Sequence, residues 1–128
     1  MLLRLMEVYL SEPVRKAKQF WRTIPEGLTF GELLAKYPQG SDEFAHVDTM
    51  MIFWDTVGCL LKHGLLSEDL VFDSFLDAPP WPKVEAAFLS LREQEGGALE
   101  GENFEFAYRQ SVEWRKHRTA RSTDDGAG

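Results

Sequence analysis

The stretch from Ser41 to Leu66, SDEFAHVDTMMIFWDTVGCLLKHGLL, constrains the fold of this chain more than any other segment. Its apolar residues recur at helical spacing along two stripes about 100° apart, which predicts a helix over about 42–63 buried on most of its circumference. The stripes are Phe44, Val47, Met51, Trp54, Gly58, Leu61 and Leu65, and Met50, Phe53, Val57 and Leu60. Because such a helix needs several partners, we expect an all-α single-domain bundle of five to six helices around it.

The length of the chain sets the number of domains. A chain of 128 residues with 44% hydrophobic side chains can build one hydrophobic core but is short for two. We therefore expect one helical domain over residues 1–121. Residues 122–128, STDDGAG, are small and polar, and we expect them to form a disordered tail.

Capping residues and helix breakers divide the rest of the chain into short helices. Thr29 and Glu32 have the spacing of a capping box, which predicts a helix start ahead of the central helix. Gly64 predicts the end of the central helix, and the proline-rich segment 77–82 separates the two helices that follow. Asn103 is a suitable cap for the last helix.

The cysteine content and the N-terminal segment both favour the cytoplasm. The single cysteine, Cys59, excludes an intramolecular disulfide and is best interpreted as a small apolar residue in a reducing compartment. Residues 1–10 are apolar but are interrupted by Arg4 and Glu7, so they predict a helix docked on the core and no membrane anchor.

Charge is distributed unevenly along the chain. Residues 1–108 carry eighteen acidic against nine basic residues, whereas residues 109–121 carry five basic residues against Glu113. A nucleic-acid-binding domain is usually basic, so contact with nucleic acid is an unfavoured third hypothesis. The residues that could make such a contact form two basic groups: Arg15, Lys18 and Arg22, and Arg115, Lys116, Arg118 and Arg121.

Several segments together resemble a bacterial all-helical domain family of uncharacterised function. They are MEVYLSEPVRKAKQFW at 6–21, FWDTVGCLLKHGLL at 53–66, the helix from Trp81 to Arg92, and NFEFAYR at 103–109. The resemblance covers about residues 6–116. In the central helix it involves an aromatic residue, an acidic residue and two glycines: Trp54, Asp55, Gly58 and Gly64. It implies a helical fold but supplies no catalytic residue.

Glu43 and His46 form a Glu-x-x-His pair of the kind that holds metal in helical bundles. A carboxylate-bridged two-metal site would need a second such pair, and neither His63 nor His117 follows a glutamate at that spacing. The alternatives are a site for a single metal ion completed by a distant carboxylate, or ordinary first-turn acids beside a histidine.

Asp55 is the carboxylate whose surroundings matter most, because it lies in the middle of the apolar central helix. A charge there must be paired, and the candidate partners are Arg92, Arg109 and Tyr108 on later helices. The alternatives are a pocket carboxylate with a shifted pKa, which would suit acid–base work or ligand binding, and a simple exposed side chain.

We expect an interaction or regulatory module that acts through protein–protein contacts, with itself as a homo-oligomer or with another protein. Large aromatic residues near helix ends and a basic helix end motivate this expectation: Trp21, Trp81, Trp114, Arg115 and Arg118. No cofactor and no catalytic residue is expected. The alternative is a small metal- or ligand-binding enzyme that uses Asp55 or the Glu43/His46 pair.

Overall fold

The structure, a computed structural model, describes residues 1–74, 78–94 and 99–127, with side chains as far as Arg118. The described residues form seven α-helices and one short 3-10 helix, and no strand is found among them. The helices are α1 (Leu2–Tyr9), α2 (Glu12–Trp21), α3 (Phe30–Lys36), α4 (Asp42–Lys62), α5 (Glu68–Ser74), the 3-10 helix Trp81–Lys83, α6 (Glu85–Arg92) and α7 (Glu102–Ala127).

The central helix predicted over about 42–63 is confirmed as α4. Ser41 caps it by accepting a hydrogen bond from the Phe44 amide at 3.1 Å, and Gly64 follows its end with a left-handed φ of 72°. Helix α4 packs mainly against α7 and α2. Leu65, which the stripe pattern includes, is 58% exposed because the helix ends before it.

Seven α-helices are present in the described residues, where five to six are predicted. The N-terminal region contributes two of them, since α1 ends at Tyr9 and α2 starts at Glu12 after its cap, Ser11. The capping box of α3 forms as predicted, with the Glu32 amide donating to the Thr29 hydroxyl at 3.2 Å and the Thr29 amide donating to the Glu32 carboxylate at 3.1 Å.

Helices α4 and α7 approach one another closely at Gly58. A Cβ atom on Gly58 would lie 1.8 Å from the backbone carbonyl oxygen of Asn103, far inside van der Waals contact. Next to this crossing, the centroid of the Phe104 ring lies 5.5 Å from that of Trp81 and 6.0 Å from that of Trp21. The aromatic core is therefore built around the first turn of α7.

The last helix is longer than the sequence predicts. Its backbone is helical to Ala127, through most of the segment 122–128 that is predicted to be disordered. No side chain of that segment is described, so its disorder in solution stays a prediction.

None of the helices in the described ranges is both long enough and apolar enough to cross a membrane.

Replacing Gly58 with alanine should destabilise the fold by at least about 2 kcal/mol, because the new methyl group meets backbone that cannot move without separating two helices. The measurement is the free energy of unfolding in urea. Gly31→Ala is the matched control: Gly31 also lies in a helix, and nothing stands within 4 Å of the Cβ position there. That change should be neutral or should stabilise by up to about 1 kcal/mol. Equal unfolding midpoints for the two variants would contradict the described crossing.

Candidate functional site

Two of the tryptophans that the sequence assigns to an interaction surface belong to the core, and the structure corrects that assignment. Trp21 is 2% exposed and Trp81 is fully buried. Their indole N–H groups are satisfied inside the fold: Trp21 donates to the His46 carbonyl at 3.0 Å, and Trp81 donates to the Glu85 carboxylate at 2.8 Å. Because both rings and both donors have partners within the domain, neither residue is presented to another molecule.

Trp114 differs from these tryptophans because it is only partly buried. Its indole N–H donates to the Asp69 carboxylate at 2.6 Å, which joins α7 to α5. The Arg118 guanidinium lies 5.1 Å from the Trp114 ring centroid and pairs with Asp73. The two carboxylates, four residues apart on α5, thus hold a stacked Trp and Arg on α7. Arg115 is exposed on the same helix.

A groove of about 500 Å³ lies beside this cluster, between α5 and α7. We call it the α5–α7 groove, and it is lined by Glu68, Asp69, Leu70, Asp73, Gln110, Glu113, Trp114, His117 and Arg118. Four of these residues are carboxylates and one is an arginine. Leu70 is 57% exposed, so the groove combines an acidic wall with apolar surface.

The structure places Asp55 on the exposed side of α4, against the first turn of α7. The Phe104 backbone and the Asn103 side chain lie close enough to lower the pKa of its carboxyl group as hydrogen-bond donors. The free backbone N–H groups and the positive end of the helix dipole make this turn a favourable place for a carboxylate. Asp55 therefore tethers α4 to the start of α7.

The partners predicted for Asp55 are engaged elsewhere, so that pairing is corrected. Arg92 forms an ion pair with Glu105 at 2.9 Å. Arg109 donates to Glu105 at 3.4 Å, one helical turn away, and lies over the Tyr108 ring at 5.4 Å from its centroid. Arg109 also lies 3.3 Å from the Glu85 carboxylate, so both arginines have carboxylate partners other than Asp55.

Partial burial raises the pKa of Asp55 above its ordinary value. The hydrogen bond from the Phe104 backbone, the nearby Lys62 ammonium and the Asn103 side chain each lower the pKa, while the charge of Glu100 raises it. The raising influences prevail. Ionisation of Asp55 is therefore less favourable in the folded protein than in the unfolded chain.

A second recess lies between α3, α4 and α6, and we call it the α3–α6 pocket. Its volume is about 200 Å³, and the described residues that line it are apolar except for one glutamate: Phe30, Leu33, Phe44, Met51, Val84, Ala87, Phe88, Leu91 and Glu100. It adjoins a shallower cleft of about 260 Å³ lined by Asp55, with which it shares Met51, Phe88 and Glu100. We call this neighbour the Asp55 cleft.

Among the residues that the structure describes, the Glu43/His46 pair has no further ligand of the kind that a metal site needs. In residues 1–74, 78–94 and 99–127, no three His, Cys, Asp or Glu side chains are grouped closely enough to hold an ion. His46 is half-buried, with its ring 5.5 Å from that of Phe20, while Glu43 is exposed. This packing explains His46 as part of the α2–α4 contact.

The basic face of α2 is partly used within the domain. The Lys18 ammonium lies 4.3 Å from the centroid of the Tyr9 ring, and Lys16 pairs with Glu12 at 3.0 Å. Arg15 and Arg22 are exposed. A nucleic-acid contact through this face stays a prediction.

Most of the side chains that line the α5–α7 groove and the α3–α6 pocket are not among the site residues predicted from the sequence. Asp69 and Asp73 are spaced four residues apart, so their shared helix face is readable from sequence, but their contacts with Trp114 and Arg118 span forty-five residues. The α3–α6 pocket joins three helices that are distant in sequence, and no local pattern marks it.

Comparison with known proteins finds no relative of this chain. No protein-family model matches the chain, and neither a curated protein nor a solved structure matches it. The resemblance to a bacterial family of helical domains stays a prediction.

Replacing Asp55 with asparagine should leave the protein at least as stable as wild type at neutral pH. The amide oxygen can still accept from the Phe104 backbone, and the cost of ionising a partly buried carboxyl is removed. Because the pKa of Asp55 is higher in the folded than in the unfolded state, the wild type gains stability as the pH falls through the folded and then the unfolded pKa. The stability difference between the two proteins should therefore shrink in mild acid.

Urea unfolding at neutral pH and in mild acid measures this difference, and Asp48→Asn on the same helix controls for the change in net charge. A variant that is destabilised at neutral pH, and less so in acid, would show instead that the Asp55 charge stabilises the fold.

Proposed function

We propose that this chain is a helical interaction module that pairs with a second copy of itself across the α5–α7 groove. The observation that supports the proposal is the composition of this groove, which places carboxylates, an exposed leucine and a stacked Trp–Arg pair on one face. Interfaces are enriched in tryptophan and arginine, and their strongest contacts cluster around such anchors.

The charges around the groove favour a second copy as the occupant. The α5 side carries Glu68, Asp69 and Asp73, whereas α7 carries Arg115 and Lys116 on exposed surface outside the groove lining, with Lys116 paired to Glu113 at 3.3 Å. A two-fold axis beside the groove would bring the acidic side of each copy to the basic side of the other. One surface then supplies both halves of a complementary pair, which is the requirement for a closed dimer.

Apolar surface in the same groove would give the dimer its affinity. Leu70 stands 57% exposed on the groove wall, and the partly buried Trp114 ring packs 6.1 Å from that of Phe72. Covering these side chains removes apolar area from water, while the surrounding charges set the orientation of the two copies.

Location and origin are part of the proposal. We propose a cytoplasmic protein, since Cys59 is a free cysteine on a half-buried helix face and suits a reducing compartment. We also propose that it belongs to the bacterial family of helical domains that its sequence resembles. A regulatory role would follow if pairing controls access to the groove.

Sedimentation or light scattering should show a dimer that weakens as ionic strength is raised from about 0.05 M to about 0.5 M, because salt screens the exposed charges. Glu68→Lys and Arg115→Glu should each weaken dimerisation by about tenfold or more, since each places like charges opposite one another. The double variant should regain affinity, because it restores complementarity with the signs exchanged.

Glu26→Lys makes the same change of charge outside the groove and should leave dimerisation intact. Arg115 and Glu26 are exposed and Glu68 is half-buried, so unfolding curves establish that each variant is folded. A wild-type protein that stays monomeric at high concentration and low salt would overturn the proposal. A monomer that binds an oligolysine peptide through the groove would instead identify a basic partner of another kind.

A further inference from the structure

We propose that the α3–α6 pocket and the Asp55 cleft together form a binding site for a small apolar molecule that carries a cationic amine. The apolar part would lie in the pocket and the ammonium group would lie in the cleft. This site is separate from the α5–α7 groove, so the inference does not depend on self-association.

The apolar half of the site is a preformed recess. Side chains from three helices line it, among them Phe30 and Leu33 of α3, Met51 of α4, and Ala87 and Leu91 of α6. Its volume of about 200 Å³ gives room for about six carbon-sized groups, if each takes the volume of a water molecule in the liquid. A mostly apolar recess with a few polar groups at one end is the usual form of a small-molecule site.

The polar half of the site is acidic. Asp55 and Glu100 both line the cleft, and Glu100 also lines the pocket. Met51 and Phe88 are shared by the two recesses, so one molecule of modest length can touch the apolar lining and reach both carboxylates. This arrangement selects a positive head group over a neutral or negative one.

Two cations near the site, Lys62 and Arg92, pair with other carboxylates. Lys62 lies close enough to lower the pKa of Asp55, but its ammonium is 3.1 Å from the Glu102 carboxylate. Arg92 pairs with Glu105 at 2.9 Å and reaches only the backbone carbonyl of Glu100, at 2.8 Å. Within the described residues, neither Asp55 nor Glu100 forms a side-chain ion pair, and a ligand ammonium would supply one to both.

The test uses three probes with the same carbon chain and different head groups: n-hexylamine, n-hexanol and hexanoate. Each is titrated into the ¹⁵N-labelled protein while amide chemical shifts are followed by NMR. We expect hexylamine to bind in the millimolar range, as befits so small a ligand, with hexanol weaker and hexanoate weakest. The shifts should centre on residues that line the pocket and the cleft.

Point variants assign the two halves of the site. Asp55→Asn should weaken hexylamine binding by about tenfold and leave hexanol binding unchanged, because only the charge-assisted contact is lost. Asp48→Asn, on the same helix but outside the cleft lining, should change neither. Ala87→Leu fills the pocket and should abolish binding of both probes, with Leu91→Phe as a second filling variant if the first does not fold.

Two results would overturn the proposal. Equal affinity for hexylamine and hexanoate would show that the carboxylates do not select charge. Absence of saturable shifts in the pocket with every probe would show that the recess does not take a small molecule. Neither result bears on dimerisation, which is measured separately without ligand.

Discussion

The close crossing of α4 and α7 at Gly58 is the constraint on which the rest of the structure depends. Without a side chain at this position, the backbone of Asn103 can lie directly against α4. The Asp55 carboxylate, almost one helical turn earlier, then lies against the first turn of α7, near the Phe104 backbone and the Asn103 side chain. This contact fixes the direction of α7 at its first turn. The later part of α7 packs beside α5, where the Trp114 indole N–H donates to the Asp69 carboxylate at 2.6 Å.

The surplus of large aromatic residues is absorbed by the core more fully than the composition suggests. The Trp81 ring stacks on Phe88 with centroids 5.2 Å apart, and Phe104 packs between Trp81 and Trp21. Offset and edge-on ring pairs of this kind fill the volume where the helices cross. Apolar surface is left instead at single aliphatic positions such as Leu70 and Ile52.

Features that depend on neighbouring residues could be predicted from the sequence, and features that depend on helix crossings could not. The bounds of α4 and the capping box of Thr29 and Glu32 follow from periodicity and a three-residue spacing. The partner of Asp55 and the burial of Trp81 depend on where helices distant in sequence cross. A local sequence pattern does not predict these crossings. The apolar stripe of α4 predicts that something packs there but not which helix does.

The unequal burial of the four tryptophans has an optical consequence. Trp21, Trp54 and Trp81 are almost completely shielded from water, whereas Trp114 is partly exposed and lies against a carboxylate and a guanidinium. Collisional quenchers of fluorescence act on exposed rings, so the quenchable part of the intrinsic emission comes mainly from one side chain. The protein therefore carries its own spectroscopic reporter at the rim of the α5–α7 groove, and no label is needed to watch that surface.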